Sequence, residues 1–161
     1  MAEFTHLDDK GRVRMVDVTE KAATVRTAVA GAEIRMRPET FELIRDQKVK
    51  KGNALETARI AGIMAAKRTP DLIPMCHPLN LTHVQIDFIP DEKAHAIGIR
   101  ASVRAVDQTG VEMEALTAAA VAALTIYDMC KSHDREMSIS GLQLLEKSGG
   151  KSGTFRRSNH K

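Results

Sequence analysis

The stretch Met75-Cys76-His77-Pro78 presents a thiol and an imidazole on a backbone restrained from both sides, by Pro74 two residues before the cysteine and by Pro78 directly after the histidine. A Cys nucleophile activated by its neighbouring His is disfavoured, because adjacent residues on an extended segment point to opposite faces. The plainer reading is a buried thiol and a hydrogen-bonded imidazole in an ordinary turn. Cys130 and His133 lie three residues apart, and with Cys76 and His77 they would make four zinc ligands. Adjacent ligands do not fit the usual zinc spacings, so no metal site is expected.

Cations gather on either side of the segment that begins at Asn53, with Lys48, Lys50 and Lys51 before it and Lys67 and Arg68 after it, while Lys21 and Arg26 flank Thr24. A run of charge is ordinarily a solvated face. Lysines crowded into a pocket, however, repel one another, which lowers their pKa and suits them to general acid or base work. Near the C-terminus GGKSG suggests a phosphate loop, but that motif needs glycine five positions before Gly150 and Leu145 stands there. What remains is a basic segment whose Lys147 and Lys151 could close over an anion.

The stretch Gly110 to Lys131 is the largest apolar element available to position these groups. Met113, Leu116, Ala120, Ala123, Leu124 and Tyr127 recur at steps of three and four, predicting a helix with that face buried. Glu112 and Glu114 at its start and Lys131 at its end suit the helix dipole; Asp128, near the C-terminus, does not unless a cation such as Lys131 offsets it. Before it, Met15 to Val18 gives a short alternating patch and Thr24 to Met36 reads as a strand. Pro38 opens a short helix through Asp46, and Asn53 caps a second helix with Ala54, Ala58, Ala61 and Ala65 on one stripe. Thr69-Pro70 ends that helix. Leu81 to Ile89 and Ala94 to Val106 alternate around Pro90 to Lys93 as a hairpin, and Met137 to Leu145 alternates as a last strand. Strand, two helices, strand, strand, helix, strand is an α+β order. It predicts a ferredoxin-like antiparallel sheet with helices packed on one face and one extra helix in the first crossover.

With 161 residues, 43% hydrophobic and 28% charged, the chain suits one domain with a core of its own. The expected division is a mobile N-terminal segment 1–14, a single domain 15–146 and a flexible basic tail 147–161. A net charge of +3 and no Trp, one Tyr and four Phe leave few stacking platforms, so nucleic acid is not an expected partner. The longest uncharged run, Ala115 to Tyr127, is shorter than the roughly 20 residues of a membrane span, and the first 21 residues lack an apolar core of the signal-peptide kind. Two cysteines imply no disulfide framework, and a cytoplasmic location without membrane contact is expected.

Three stretches, MVDVTEKAATVR, KGNALETARIAGIMAAKRTPDLIPMCHPL and GVEMEALTAAAVAALTIYDMCK followed by KSGGKSG, resemble the molybdenum cofactor biosynthesis protein C family, the cyclic pyranopterin monophosphate synthases. The resemblance runs from Met15 to Gly153. It implies a ferredoxin-like lyase, assembled as a hexamer from dimers, that takes 3′,8-cyclo-7,8-dihydro-GTP to cyclic pyranopterin monophosphate and releases pyrophosphate. It also implies catalytic roles for Asp128, Lys51 and Lys131, and substrate contacts from Met75, Cys76, His77, Met113 and Glu114, with Lys147 and Arg26 as further candidates for the triphosphate. No cofactor is required, though Mg2+ could arrive with the triphosphate. This chain has Met75 where Leu is common in the family, and Asn53 where Asp is usual. Glu114 and Asp128 fall about 21 Å apart on a straight helix at roughly 1.5 Å per residue, so composite sites at a dimer interface are expected, with His77 and Glu114 from one chain and Asp128 and Lys131 from the other. The competing expectation is a nucleotide-binding module that does not turn its ligand over.

Overall fold

The computed structural model describes residues 7–158; the outer parts of both terminal segments, 1–6 and 159–161, lie outside the described residues. The chain forms β1 (Thr24–Arg35), α1 (Pro38–Arg45), α2 (Ala54–Lys67), α3 (Thr69–Leu72), β2 (Leu81–Asp91), β3 (Ala96–Asp107), α4 (Glu112–Cys130), β4 (Ser138–Ser148) and β5 (Phe155–Arg156). The sheet order is β2-β3-β1-β4-β5 and every pairing is antiparallel. The first four of these strands have the expected α+β, ferredoxin-like arrangement, with helices packed on the sheet.

Alternation decides the faces. Ala28, Ala30, Ala32 and Ile34 of β1 and Ile97, Ile99, Ala101, Val103 and Ala105 of β3 are buried beneath the helices. Small side chains on β1 let α4 lie close to the sheet, and small side chains on α2 let the two helices meet closely. A Cβ on Gly62 of α2 would stand 3.0 Å from the Ala118 carbonyl of α4. Asn53 caps α2 as expected, its side chain accepting the Glu56 amide at 3.1 Å. That Asn replaces a more usual Asp therefore costs no cap.

The buried face of α4 is not the one its large residues suggested. Ala115, Ala118, Ala119, Ala122, Ala123 and Ile126 are fully buried, whereas Met113 and Leu124 are exposed. An almost entirely apolar helix carries little phase information, and close packing on α2 and the sheet selects the alanines. At 19 residues α4 is long and apolar enough to cross a membrane, but half of it is buried against α2, β1, β3 and β4.

Two further differences concern chain ends. Thr69-Pro70 does not simply stop α2, because α3 begins there, and Thr69 returns its hydroxyl to the carbonyls of Ala65 and Ala66 at 3.1 Å each. β4 continues past Glu146 to Ser148, and Phe155–Arg156 pair back on it opposite Lys147 and Glu146. The Arg157 amide adds a hydrogen bond to the Leu145 carbonyl at 2.8 Å. The segment after Glu146 is thus tied to the sheet edge, which its Gly, Ser and Lys composition did not suggest.

The loop after α4 is fixed by Asp134, a buried carboxylate with no assigned role in the sequence reading. It accepts the Arg37 amide at 2.9 Å, the Glu136 amide at 3.0 Å and the Thr40 hydroxyl at 3.3 Å. Burial pushes this carboxyl up, but the amide bonds and the Arg37 charge outweigh it and hold it below the usual carboxylate range.

Candidate active site

The predicted residues assemble into two groups at opposite ends of α4. At the C-terminal end, Lys131 reaches back to Asp128, Nζ to Oδ1 at 2.8 Å, as residues three apart on a helix can. Lys51, from the connector before α2, approaches the same carboxylate at 3.3 Å (Oδ2) and donates to the Asp128 carbonyl at 2.9 Å. Two cations therefore offset the carboxylate that stood at the unfavourable end of the dipole. The hydrogen bonds from Lys131 and Lys51 hold Asp128 below its ordinary value, and the hydrogen bond to Asp128 pushes Lys131 up. In this exposed setting the Asp128 carboxylate keeps Lys131 as an ammonium.

At the N-terminal end lie two adjoining cavities. The smaller, about 350 Å³, is lined by Met75, Cys76, His77, Met113 and Glu114 among others. Cys76 and His77 both reach it where the chain leaves a turn closed by the Cys76 amide on the Ile73 carbonyl at 3.1 Å. His77 Nε2 is 2.7 Å from the Val16 carbonyl; a carbonyl only accepts, so Nε2 carries the proton and Nδ1 is free of this bond. Val16 is 61 positions away in sequence, and no local pattern signals the contact. It gives the alternating patch Met15 to Val18, which is not a strand, a role as the support of the imidazole.

Glu114 is 3% exposed in the first turn of α4. Burial raises its carboxyl from 4.5 to about 7, with smaller contributions from Glu112 and Asp107 against a backbone hydrogen bond that lowers it. Burial likewise raises the Cys76 thiol, helped by Glu114. Cys76 is thus a neutral thiol and a wall of the cavity rather than a nucleophile. Cys130 sits at the far end of α4, buried and pushed up to about 11, so the chain does not bring the four candidate zinc ligands together. Among the described residues no cluster of three or more His, Cys, Asp or Glu could hold a metal ion.

The larger cavity, about 1020 Å³, shares Lys21, Thr109, Gly110 and Glu112 with the first. Arg26, Lys147 and Lys151 supply its cations together with Lys21. The Arg26 guanidinium donates to the carbonyls of Asp107 and Gln108 at 3.3 and 3.2 Å. Gly150, at φ 72°, lies directly on that guanidinium, where a Cβ would come within 1.8 Å of Nη1. The positive φ favours glycine and a Cβ would displace the guanidinium, so the GGKSG segment acts here as a tight cover on Arg26 rather than as a phosphate loop. The sequence reading missed the part of Glu112, which its place in the first turn seemed to explain fully.

Glu114 yields a stability test. Its folded pKa lies above its unfolded value, so its contribution is whole below about pH 4.5 and is lost as pH rises to about 7. The displacement corresponds to at most ~3 kcal/mol. Glu114→Gln should remove this loss: relative to wild type, the variant should gain up to that amount between pH 4.5 and 8 in urea unfolding. Parallel curves for the two proteins would show that the carboxyl is not buried in its neutral form.

The MoaC family model matches residues 15–150. Cyclic pyranopterin monophosphate synthase of Desulforapulum autotrophicum is 63% identical over 155 residues, covering 96% of this chain and 95% of its own. The synthases of a Roseiflexus species and of Thermomicrobium roseum are 61% and 58% identical over 155 and 157 residues, covering 96% and 98% of this chain and 98% and 95% of their own. The smaller cavity, all of the larger one but Lys151 and Ser152, and the lysine-aspartate cluster fall within the region that the family model matches, and the chain belongs to the MoaC family.

Proposed function

We propose that the protein is a cyclic pyranopterin monophosphate synthase of molybdenum cofactor biosynthesis, a lyase acting in the cytoplasm on 3′,8-cyclo-7,8-dihydro-GTP. The observation that carries this reading is the pair of joined cavities at the start of α4, taken with the names of its near full-length relatives. The smaller cavity offers an imidazole and a carboxyl that titrates near neutrality, which suits a heterocycle that must gain and lose protons. The larger has a cationic rim from Arg26, Lys147, Lys21 and Lys151, which suits a triphosphate. Mg2+ would enter, if at all, with that triphosphate.

The third element, Lys51, Asp128 and Lys131, lies about 21 Å along α4 from Glu114 at roughly 1.5 Å per residue. That is too far for one chain to apply both to a single small reacting centre. We propose that the working site is composite: two chains meet about a twofold axis with their α4 helices antiparallel, and the lysine cluster of each completes the cleft of the other. Ile60 and Met64 on α2 and Leu124 on α4 remain more than half exposed, an apolar surface on the helix layer that a second copy would cover. Three such dimers would form a hexamer. In the completed site Asp128 orients Lys131, and the two lysines deliver protons and stabilise developing negative charge during ring opening and closure.

Conversion is tested by supplying the cyclised dihydro-GTP to the purified oligomer and following pyrophosphate and the pterin product by mass. Both should appear together. Binding of the substrate without either product would instead make the protein a nucleotide-binding module.

A further inference from the structure

Glu112 stands in the wall common to the two cavities, and its place there is unusual for a first-turn carboxylate. Its side chain folds back over Gly110, where a Cβ would lie 2.0 Å from Oε2, and its Oε1 is 3.3 Å from Lys147 Nζ. Both side chains are half-buried. Lys147 also donates to Ser152 at 2.6 Å, so two of the three donors of its ammonium are engaged within the protein. Among the described residues it is the one cation of this rim paired with a carboxylate; Arg26 is held by carbonyls, which leave its charge uncompensated.

We propose that Glu112 is an internal competitor for the anion site: it occupies Lys147 in the free protein, yields it to an entering polyphosphate and reclaims it as pyrophosphate leaves. A phosphate oxygen and the Glu112 carboxylate require the same ammonium, and each repels the other. The pair therefore weakens every polyanion at this rim. The effect bears most on a product whose hold is the rim alone, because a substrate also gains contacts in the smaller cavity. Tight retention of pyrophosphate would stall turnover, and re-formation of the Glu112–Lys147 pair opposes it. The identity of the anion rests on the function proposed above; the competition itself rests on the geometry.

Titration of inorganic pyrophosphate into the full-length protein by calorimetry tests this without any turnover. Glu112→Gln should bind pyrophosphate roughly three- to tenfold more tightly than wild type, the range of one half-buried charge pair. With Lys147→Met as background, the same substitution should gain less than twofold. Unchanged or weaker binding by Glu112→Gln would overturn the proposal. So would an equal gain in the Lys147→Met background, which would make Glu112 a distant repulsive charge rather than a competitor. Absence of pyrophosphate binding in every form overturns it as well; if such a protein still converts the substrate, only the competitor role falls, and if it does not, the proposed function falls with it.

Discussion

Lys131→Ala and Lys51→Ala are each expected to lower kcat by roughly 10²–10⁴-fold, the usual range for loss of a proton-transferring group, while changing substrate Kd less than about tenfold. Both side chains are about half exposed and neither is part of the core, so the fold should survive. Lys131 is the stronger case. Asp128 holds it as an ammonium at the end of α4, which makes it a fixed positive charge, not a free base. A group that acts on charge developing in the transition state is lost from kcat and kcat/KM alike. Asp128→Asn should show a loss of the same kind and of similar size, because the lysines remain but the carboxylate that stands between them has lost its charge. Steady-state kinetics together with calorimetric Kd separates the outcomes. A Kd that weakens as much as kcat falls would make both lysines simple phosphate anchors.

The reasons why parts of this site were legible and others were not are physical. Strands and caps announce themselves locally: the alternation of β1 and β3, Pro38 at the start of α1 and Asn53 before α2 all stand where the pattern put them. The Asp128–Lys131 pair was legible for a related reason, since the two are one helical turn apart and Lys131 offsets an acid at the unfavourable end of the dipole, whereas Lys51 joined them only through the family resemblance. By contrast, the His77 bond to the Val16 carbonyl joins distant segments through a backbone atom, and no side-chain pattern encodes it. The fold of Gly150 onto Arg26 is similar. Its glycines look like flexibility, whereas here their positive φ shapes a turn that lies on the guanidinium. The buried stripe of α4 was misread because Ala outcompetes Leu where backbones come close, and hydrophobicity alone ranks them the other way. Asp134 was missed because a buried acid held by amides looks like any surface acid in sequence.

The central claim is that the two groups of residues at the ends of α4 serve one reacting centre only across two chains. Glu114→Ala and Asp128→Ala are each expected to be inactive as pure oligomers, since each removes a required carboxylate from every site. In a mixed dimer, one composite site would carry both lesions and the other neither. The two inactive proteins, unfolded together, refolded and verified as mixed oligomers, should therefore recover activity. With equal amounts and random assortment about half the dimers are mixed, and each has one intact site of two, so the expected recovery is about a quarter of wild type. Recovery near that level is the predicted result; verified mixed oligomers with no activity above the parent variants would place Glu114 and Asp128 in a site within one chain and contradict the account.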